Sequence, residues 1–233
     1  EALRHAERCI AEGADILDLG GESSRPGAEP VGVQEELDRV IPVLEGLQGC
    51  GLPVSVDTVK PQVMAEAIRA GAAMINDING LRDPDALAVV AAADVGLCVM
   101  HMQGEPRTMQ QDPQYEDVVA EVEQFLGAQM ARLHNAGVDR ARITIDPGFG
   151  FGKRRAHNEA LFRNIGRLAG MAPVLVGVSR KSVLGAVTGR DVKDRVLPSV
   201  VSAVLAAQKG AAILRVHDVA DTRDAFRLLE AFG

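Results

Sequence analysis

Seven short apolar runs in this chain each end abruptly in polar residues, and segments with helical spacing lie between them. The apolar runs fall at 15–19, 53–57, 74–78, 96–101, 142–146, 174–179 and 212–217. Apolar residues recur at i, i+3 and i+4 over 33–48, 60–70, 83–93, 115–136, 157–169, 180–208 and 218–231, which predicts helices. Strands that alternate with helices and lack an alternating polar face are typical of a parallel sheet covered on both sides. The chain is therefore predicted to be an α/β protein.

A doubly wound open sheet and a barrel both satisfy this alternation. Polar residues follow almost every strand, which favours the barrel, because a barrel gathers all its strand ends around one mouth. The chain also opens on a helical segment, 1–12, which implies a preceding strand. We therefore predict a (β/α)8 TIM barrel whose first strand is absent from this chain. No Pro/Ser-rich linker interrupts the series, so residues 1–233 are predicted to form one domain.

Composition argues against several classes of function. The 233 residues carry a net charge of −7, whereas general nucleic-acid affinity requires a basic face. No apolar run approaches the roughly 20 residues needed to cross a bilayer, so no membrane partner is expected. Cys9, Cys50 and Cys98 are odd in number and widely spaced. They predict reduced, buried thiols in a cytoplasmic protein.

Three polar residues at strand ends form the first candidate site, namely Asp57, Asn76 and Asp146. Taken singly, Asp57 and Asn76 each fit the role of a helix N-cap. Together at one mouth, the three offer donors and acceptors for a flat, nitrogen-rich heterocycle, since a carboxylate accepts two parallel N–H bonds.

Asp146 opens a glycine-rich segment that ends at Lys153 and reads Asp-Pro-Gly-Phe-Gly-Phe-Gly-Lys. It superficially resembles a phosphate loop, but it lacks the four-residue spacing before Gly-Lys and a following Ser or Thr. We predict instead a flexible loop whose two exposed rings, Phe149 and Phe151, cover or stack on a planar ligand.

A basic cluster follows the last two predicted strands and comprises Arg180, Lys181, Arg215 and His217. Barrels commonly bind phosphate in this quadrant, helped by helix N-termini. Anion binding and pairing with acidic neighbours at the rim both remain open. The Gly/Pro/Ser-rich loop 20–30 is likewise either a plain connector or a substrate loop.

Seven ordered motifs resemble those of the dihydropteroate synthases, within the pterin-binding enzymes. They are Gly-Gly-Glu-Ser-Ser-Arg-Pro-Gly at 20–27, Ser-Val-Asp-Thr at 55–58, Ile-Asn-Asp-Ile at 75–78, Met-His-Met-Gln-Gly at 100–104, the glycine-rich segment at 146–153, Ser-Arg-Lys-Ser at 179–182 and Arg-Val-His-Asp at 215–218. The resemblance spans essentially the whole chain. It implies a barrel enzyme that joins 4-aminobenzoate to 6-hydroxymethyl-7,8-dihydropterin diphosphate, giving 7,8-dihydropteroate and diphosphate in folate synthesis.

The resemblance also implies a role for each candidate residue. The pterin would be bound by Asp57, Asn76, Asp146 and Lys181, and the diphosphate by Arg215 and His217. Ser24 would lie beside the diphosphate and the benzoate, in one loop with Arg25 and Pro26. The 4-aminobenzoate pocket would be formed by Phe151, Lys181 and Ser182. Catalysis would depend on Lys181, Arg215, His217 and Asp146.

Two features depart from the family's pattern. Ser24 stands where the family more often has Thr, which retains the hydroxyl. The Asn that ligates Mg²⁺ in the family belongs to the first-strand segment, so Mg²⁺ is expected as a cofactor without a metal ligand in this chain. The family commonly forms dimers through late helices of the barrel, which implies a homodimer and points to 191–208.

Three other functions remain as alternatives. A pterin-binding methyltransferase shares this barrel, although the Ser-Arg-Lys-Ser and Arg-Val-His motifs favour a diphosphate leaving group. A pterin-binding protein without catalysis is the second alternative. A sugar-phosphate barrel enzyme is the third, but it does not explain the Asp and Asn set.

Overall fold

The computed structural model describes residues 1–25 and 27–233, and a parallel sheet of seven strands forms its centre. The strands are β1 (Leu17–Gly20), β2 (Val54–Asp57), β3 (Met74–Asp77), β4 (Gly96–Met100), β5 (Ile143–Asp146), β6 (Val174–Val176) and β7 (Ala211–Leu214). They neighbour one another in chain order, and every pair is parallel. All seven predicted strands are confirmed. β6 and β7 end earlier than predicted, at Val176 and Leu214.

Helices precede β1 and follow each strand. They are α1 (Ala2–Ala11), α2 (Val33–Gly46), α3 (Pro61–Arg69), α4 (Pro84–Ala91), α5 (Val118–Asn135), α6 (Arg155–Arg163), α7 (Ile165–Ala169), α8 (Ser182–Thr188), α9 (Val196–Gln208) and α10 (Val219–Phe232). The prediction of one helix over 180–208 is wrong. Gly189 ends α8 in the left-handed region, at φ 71°, and a 3-10 turn over Val192–Asp194 precedes α9. The segment predicted at 157–169 is likewise divided, at Asn164.

The main core lies between the central strands and the helices that cover them. Val56, Ile75, Leu97 and Ile145 are fully buried at 0% exposure. This burial explains why the strands lack an alternating polar face, since parallel strands are covered on both sides.

The two edge strands, β1 and β7, approach each other at their carboxyl ends. Arg215, directly after β7, donates from Nε to the carboxylate of Asp18 in β1 at 2.6 Å. One arginine side chain therefore spans the space between the edges, so the sheet curls around an axis. Seven parallel strands in chain order, alternating with helices and curled in this way, confirm the predicted barrel class with one strand fewer than the eight of a TIM barrel.

The three cysteines are free thiols. Only Cys98, in the central strand β4, is buried. The prediction of buried thiols is wrong for Cys9 and Cys50, because these residues lie at the periphery, in α1 and after α2. Within the described parts of the chain, none of the helices combines the length and the apolar character that a bilayer crossing requires.

Candidate active site

The polar residues predicted to end the strands share one face of the sheet. Asp57 in β2 pairs directly with Asn76 in β3. Asn76 pairs with Cys98, and Cys98 pairs with Thr144, two residues before Asp146. Because side chains two residues apart on a strand point to the same face, Asp57, Asn76 and Asp146 project to one side. The structure therefore brings the three predicted residues together.

Neither Asp57 nor Asn76 caps a helix. The N-cap of α3 is Lys60 and that of α4 is Asp83, so the capping alternative is wrong for both residues. The side-chain oxygen of Asn76 is buried and has no hydrogen-bond partner among the described residues. A buried acceptor without a partner destabilises the fold. It is well placed to receive an N–H group of a bound molecule.

The two candidate carboxylates lie in surroundings that disfavour their charge. Burial and the neighbouring charge of Asp18 together raise the pKa of Asp57 to about 7, although Arg215 opposes the shift. Burial also raises the pKa of Asp146, against the opposing charge of Lys181. A ligand that donates N–H groups or carries positive charge therefore binds best to the ionised carboxylates.

We expect Asp57→Asn to stabilise the folded chain above neutral pH. The folded pKa of Asp57 is raised, so its contribution to stability is complete below the unfolded value of 3.8 and is lost as the pH rises through about 7. The neutral variant avoids that loss, with a gain on the order of 2–4 kcal/mol above pH 7. Urea unfolding between pH 4 and pH 8 measures the difference. The same substitution at exposed Asp94 should change stability little at any pH, and a gain that does not grow with pH would contradict the assignment.

Arg215 is oriented by carboxylates of β1 and β2, across the space between the two edge strands. Its Nε donates to Asp18 at 2.6 Å, and its terminal nitrogen lies 3.7 Å from the carboxylate of Asp57. The side chain remains 44% exposed, so part of the guanidinium is accessible from the mouth. Arg180 instead pairs with Asp218 through Nε at 3.0 Å, which is the rim pairing left open by the sequence.

Lys181 lies between the glycine-rich segment and the polar face. Its Nζ donates to the carbonyl of Phe149 at 2.6 Å and lies 4.7 Å from the centre of the Phe151 ring. Burial lowers the pKa of Lys181 to about 8, and Asp146 opposes that shift. Among the described residues no carboxylate pairs with this ammonium within 4 Å.

The prediction that Phe149 and Phe151 are exposed on a flexible loop is wrong. Phe149 is 1% exposed and packs against Phe162 with ring centres 5.9 Å apart. Phe151 is 9% exposed and belongs to a small apolar cluster with Ile78, Met100, Met102 and Met109. The loop is tightly bonded, so Phe151 forms a wall of the site beside Lys181 rather than a mobile cover.

His217 takes a defined orientation from Ser179. The Ser179 oxygen accepts the main-chain N–H of His217 at 3.2 Å and lies 3.0 Å from its Nδ1. Burial lowers the pKa of His217, and Arg215 and Arg180 lower it further. Since the hydroxyl oxygen already accepts, its own proton is available to Nδ1. In the tautomer whose Nδ1 accepts that proton, the neutral ring carries hydrogen on Nε2, which can donate to an anion.

The loop between β1 and α2 lies close to the carboxyl ends of the strands. Ser24 lines the same small cavity as Asp57. The N–H of Gly27 donates to the carbonyl of Pro106 at 3.2 Å, which joins this loop to the β4–α5 loop. A plain connector does not explain these contacts, so they favour a substrate loop. Arg25 is exposed, Pro26 lies outside the described residues, and Ser182 is exposed at the first position of α8.

Three positioning residues were not assigned a role from the sequence. Asp18 is the last polar residue of its apolar run, one position before the end, and Ser179 belongs to the motif that contains Lys181. Lys153 closes the glycine-rich segment, and its side chain is only 3% exposed. The composition of the segment does not predict that burial. The aspartate near the end of the first run was therefore the clearest overlooked signal.

No cluster of three or more His, Cys, Asp or Glu side chains suited to a metal ion occurs in the part of the chain that the structure describes. These residues alone therefore do not supply a site for the expected Mg²⁺. The cofactor stays a prediction.

Comparison with known proteins adds family evidence to this geometry. The family model described as pterin binding enzyme matches residues 1–217. The chain is 46% identical over 233 residues to the dihydropteroate synthase of Escherichia coli K12, a match covering 99% of this chain and 83% of that protein.

Solved structures of similar proteins show the same fold. The Xanthomonas albilineans dihydropteroate synthase with 4-aminobenzoic acid is 51% identical with a TM-score of 0.93, covering 98% of this chain and 83% of that one. The Burkholderia cenocepacia enzyme complexed with 7,8-dihydropteroate is also 51% identical, with a TM-score of 0.92 and coverages of 98% and 85%.

Proposed function

The chain belongs to the pterin binding enzyme family, and we propose that within it this protein acts as a dihydropteroate synthase. The reaction joins 6-hydroxymethyl-7,8-dihydropterin diphosphate to 4-aminobenzoate and yields 7,8-dihydropteroate and diphosphate, a transferase step of folate synthesis. One observation carries the proposal, namely that a face bearing Asp57, Asn76 and Asp146 adjoins the cations Lys181 and Arg215. Such a face matches a heterocycle rich in N–H groups whose substituent is an anion.

The pterin fits the buried part of this face. Its N–H groups would donate to the carboxylates of Asp57 and Asp146 and to the unpartnered oxygen of Asn76. The 4-aminobenzoate would lie between Phe151 and the mouth, with its carboxylate towards Ser182. Ser24 and Arg25, in the loop that leans over the mouth, would lie beside the diphosphate and the benzoate.

The chemistry follows from where charge develops. The carbon–oxygen bond to diphosphate breaks, and Arg215 and the Nε2–H of His217 stabilise the departing anion. Asp57 and Asp146 stabilise the positive charge that spreads over the pterin. The arylamine nitrogen of 4-aminobenzoate then bonds to the methylene carbon and loses one proton. Preorganised groups, rather than a covalent intermediate, therefore lower the barrier.

Release of diphosphate tests the proposal against its rivals. The purified chain is incubated with both substrates and Mg²⁺, and diphosphate and 7,8-dihydropteroate are quantified together. Equal amounts of the two products are expected. Pterin binding without diphosphate release would instead support a methyltransferase-type barrel or a binding protein without catalysis.

Asp146→Asn is expected to weaken pterin binding by about 10- to 100-fold, since one charged acceptor becomes an amide. The Asn oxygen can still accept the N–H of Gly148, which Asp146 holds at 2.7 Å, so the loop should persist. Calorimetric titration with a pterin measures the affinity. Asp139→Asn, just before the opposite end of β5, is the matched control, and unchanged titration heats for Asp146→Asn would show the role to be wrong.

We also propose that the chain forms a homodimer and uses Mg²⁺ in the cytoplasm. Leu197, Val201 and Leu205 recur every four residues on α9 and are 64%, 47% and 44% exposed, which supports an apolar contact face there. Analytical ultracentrifugation of the chain and of Val201→Glu tests the dimer. Because the described residues alone supply no metal site, calorimetric titration with MgCl₂ is made with and without the pterin diphosphate to test metal binding.

A further inference from the structure

Lys153 places an ammonium group in the interior, beside the site but outside the set of residues that the proposed reaction uses. Its side chain is 3% exposed, and it precedes α6 at the end of the glycine-rich segment. Among the described residues no carboxylate pairs with it; its neighbours are main-chain carbonyls and one imidazole.

The acceptors around Nζ come from two different loops. The carbonyls of Gly148 and Phe151, in the β5–α6 loop, each lie 3.0 Å away. His101 is the first residue of the β4–α5 loop. Its main-chain carbonyl oxygen lies 3.2 Å from Nζ, and its ring Nδ1 lies 2.9 Å from Nζ. An ammonium has three N–H donors, so these acceptors use its full capacity.

The two loops meet backbone to backbone at this point. A Cβ added to Gly148 would lie 1.9 Å from the carbonyl oxygen of His101, and one added to Gly152 would lie 2.3 Å from that of Gln103. A side chain therefore does not fit at either glycine position. Carbonyls from both loops therefore converge, and a cation between them offsets their mutual repulsion.

The surrounding groups agree with this arrangement. Burial and the charge of Lys153 lower the pKa of His101 to about 3, so its ring is neutral and its Nδ1 accepts. Burial lowers the pKa of Lys153 to about 7, while Asp146 favours its charged form. The three carbonyl contacts also favour the charged form of Lys153, as Asp146 does.

The bonds of Lys153 determine where the Phe151 ring lies. The carbonyl of Phe151 is bound to Nζ, and the ring projects from that residue to within 4.7 Å of the Lys181 ammonium. Asp146, in contrast, belongs to β5 and is positioned by strand pairing with Met100. Loss of the Lys153 bonds should therefore displace the Phe151 wall more than the pterin-facing carboxylate.

We propose that Lys153 is a positioning residue for the 4-aminobenzoate half of the reaction, because it ties the β5–α6 loop to the β4–α5 loop and thereby places Phe151 beside Lys181. The inference rests on the proposed function, since it assigns Phe151 to the benzoate pocket.

Lys153→Met removes the donors and keeps a linear side chain of similar length. We expect the KM for 4-aminobenzoate to rise at least 10-fold while the KM for the pterin diphosphate stays within threefold. Hydrogen exchange of amides in 147–153 should quicken, and amides of the central strands should remain protected. Lys209→Met is the control, because it removes an exposed lysine at the end of α9, next to the amino end of β7 and away from the site. It should not reproduce the selective rise in KM.

A second variant keeps the test decisive if Lys153→Met does not fold. Tyr115→Phe removes only a hydroxyl, which donates across the same two loops to the carbonyl of Gly152 at 2.8 Å. A selective two- to fivefold rise in the KM for 4-aminobenzoate is expected. An unchanged KM for 4-aminobenzoate, or an equal rise for both substrates, in the variant that folds would overturn the inference. A wild-type chain that releases no diphosphate would instead refute the proposed function.

Discussion

Replacing Arg215 by Met is expected to lower kcat/KM by about 10²- to 10³-fold, or ~2.7–4 kcal/mol of transition-state stabilisation. The guanidinium is oriented by Asp18 at 2.6 Å, and the proposed mechanism assigns it to the departing diphosphate. Its loss has a second effect, because Arg215 opposes the raised pKa of Asp57. Without it, Asp57 remains protonated to higher pH, so the rise of activity with pH should move upward. Steady-state kinetics over pH 6–9 measures both effects.

Arg223 offers a matched control for this substitution. It also pairs with an aspartate near β1, Asp15, at 3.3 Å, and its side chain is 45% exposed, compared with 44% for Arg215. It lies in α10, away from the carboxyl ends of the strands, so Arg223→Met should leave kinetics unchanged. Arg215→Lys keeps the charge but loses the planar fork, and an intermediate rate is expected. Turnover by Arg215→Met within threefold of wild type would remove Arg215 from the mechanism.

Gly148→Ala is expected to cost about 2–5 kcal/mol of unfolding free energy, the largest stability loss among the changes considered. The residue has a φ of 69°, which costs an alanine about 1–2 kcal/mol. Its Cβ would also lie 1.9 Å from the carbonyl oxygen of His101. Because the Cβ is fixed to the main chain and its partner is a backbone carbonyl, relief requires the two loops to separate, with an overpacking cost of about 1–3 kcal/mol. Chemical denaturation measures the loss.

Substitution of Gly49 by Ala separates the conformational cost of a positive φ from the cost of the clash. Its φ is 78°, and a Cβ there would meet nothing within 4 Å, so Gly49→Ala carries the conformational strain without the clash. A cost of about 1–2 kcal/mol is expected for it. Equal losses for the two variants would show that the close approach of Gly148 to His101 contributes nothing.

The glycine-rich segment shows where sequence interpretation succeeds and where it stops. Asp146 was placed correctly at a strand end, because β-branched content and the polar ending are local signals. The prediction that Phe149 and Phe151 are exposed is wrong, because a glycine-rich segment is not necessarily flexible. Their burial depends on partners distant in sequence, such as Phe162 and Met100. The hydrogen bonds of Lys153 to His101 are likewise invisible to local pattern.

The site residues show the same contrast between local sequence signals and contacts that form only in the folded chain. Asp57 and Asn76 were identified together from the sequence because parallel strands in chain order bring their carboxyl ends to one edge. Whether each capped a helix was decided by the structure, in which Lys60 and Asp83 hold those positions. The pairing of Arg215 with Asp18 joins residues 197 positions apart, so no spacing rule predicts it.

Sequence alone predicts the alternation of strands and helices, the class of sheet, the polar strand ends and the family resemblance. These follow from periodicity and short motifs, which act over a few residues. Only the folded chain shows the burial of the two phenylalanines, the ion pairs of Arg215 and Arg180, the orientation of His217 by Ser179 and the loop contact made by Lys153. Each of these depends on groups brought together by the curl of the sheet, and their charges and hydrogen bonds are set by that proximity.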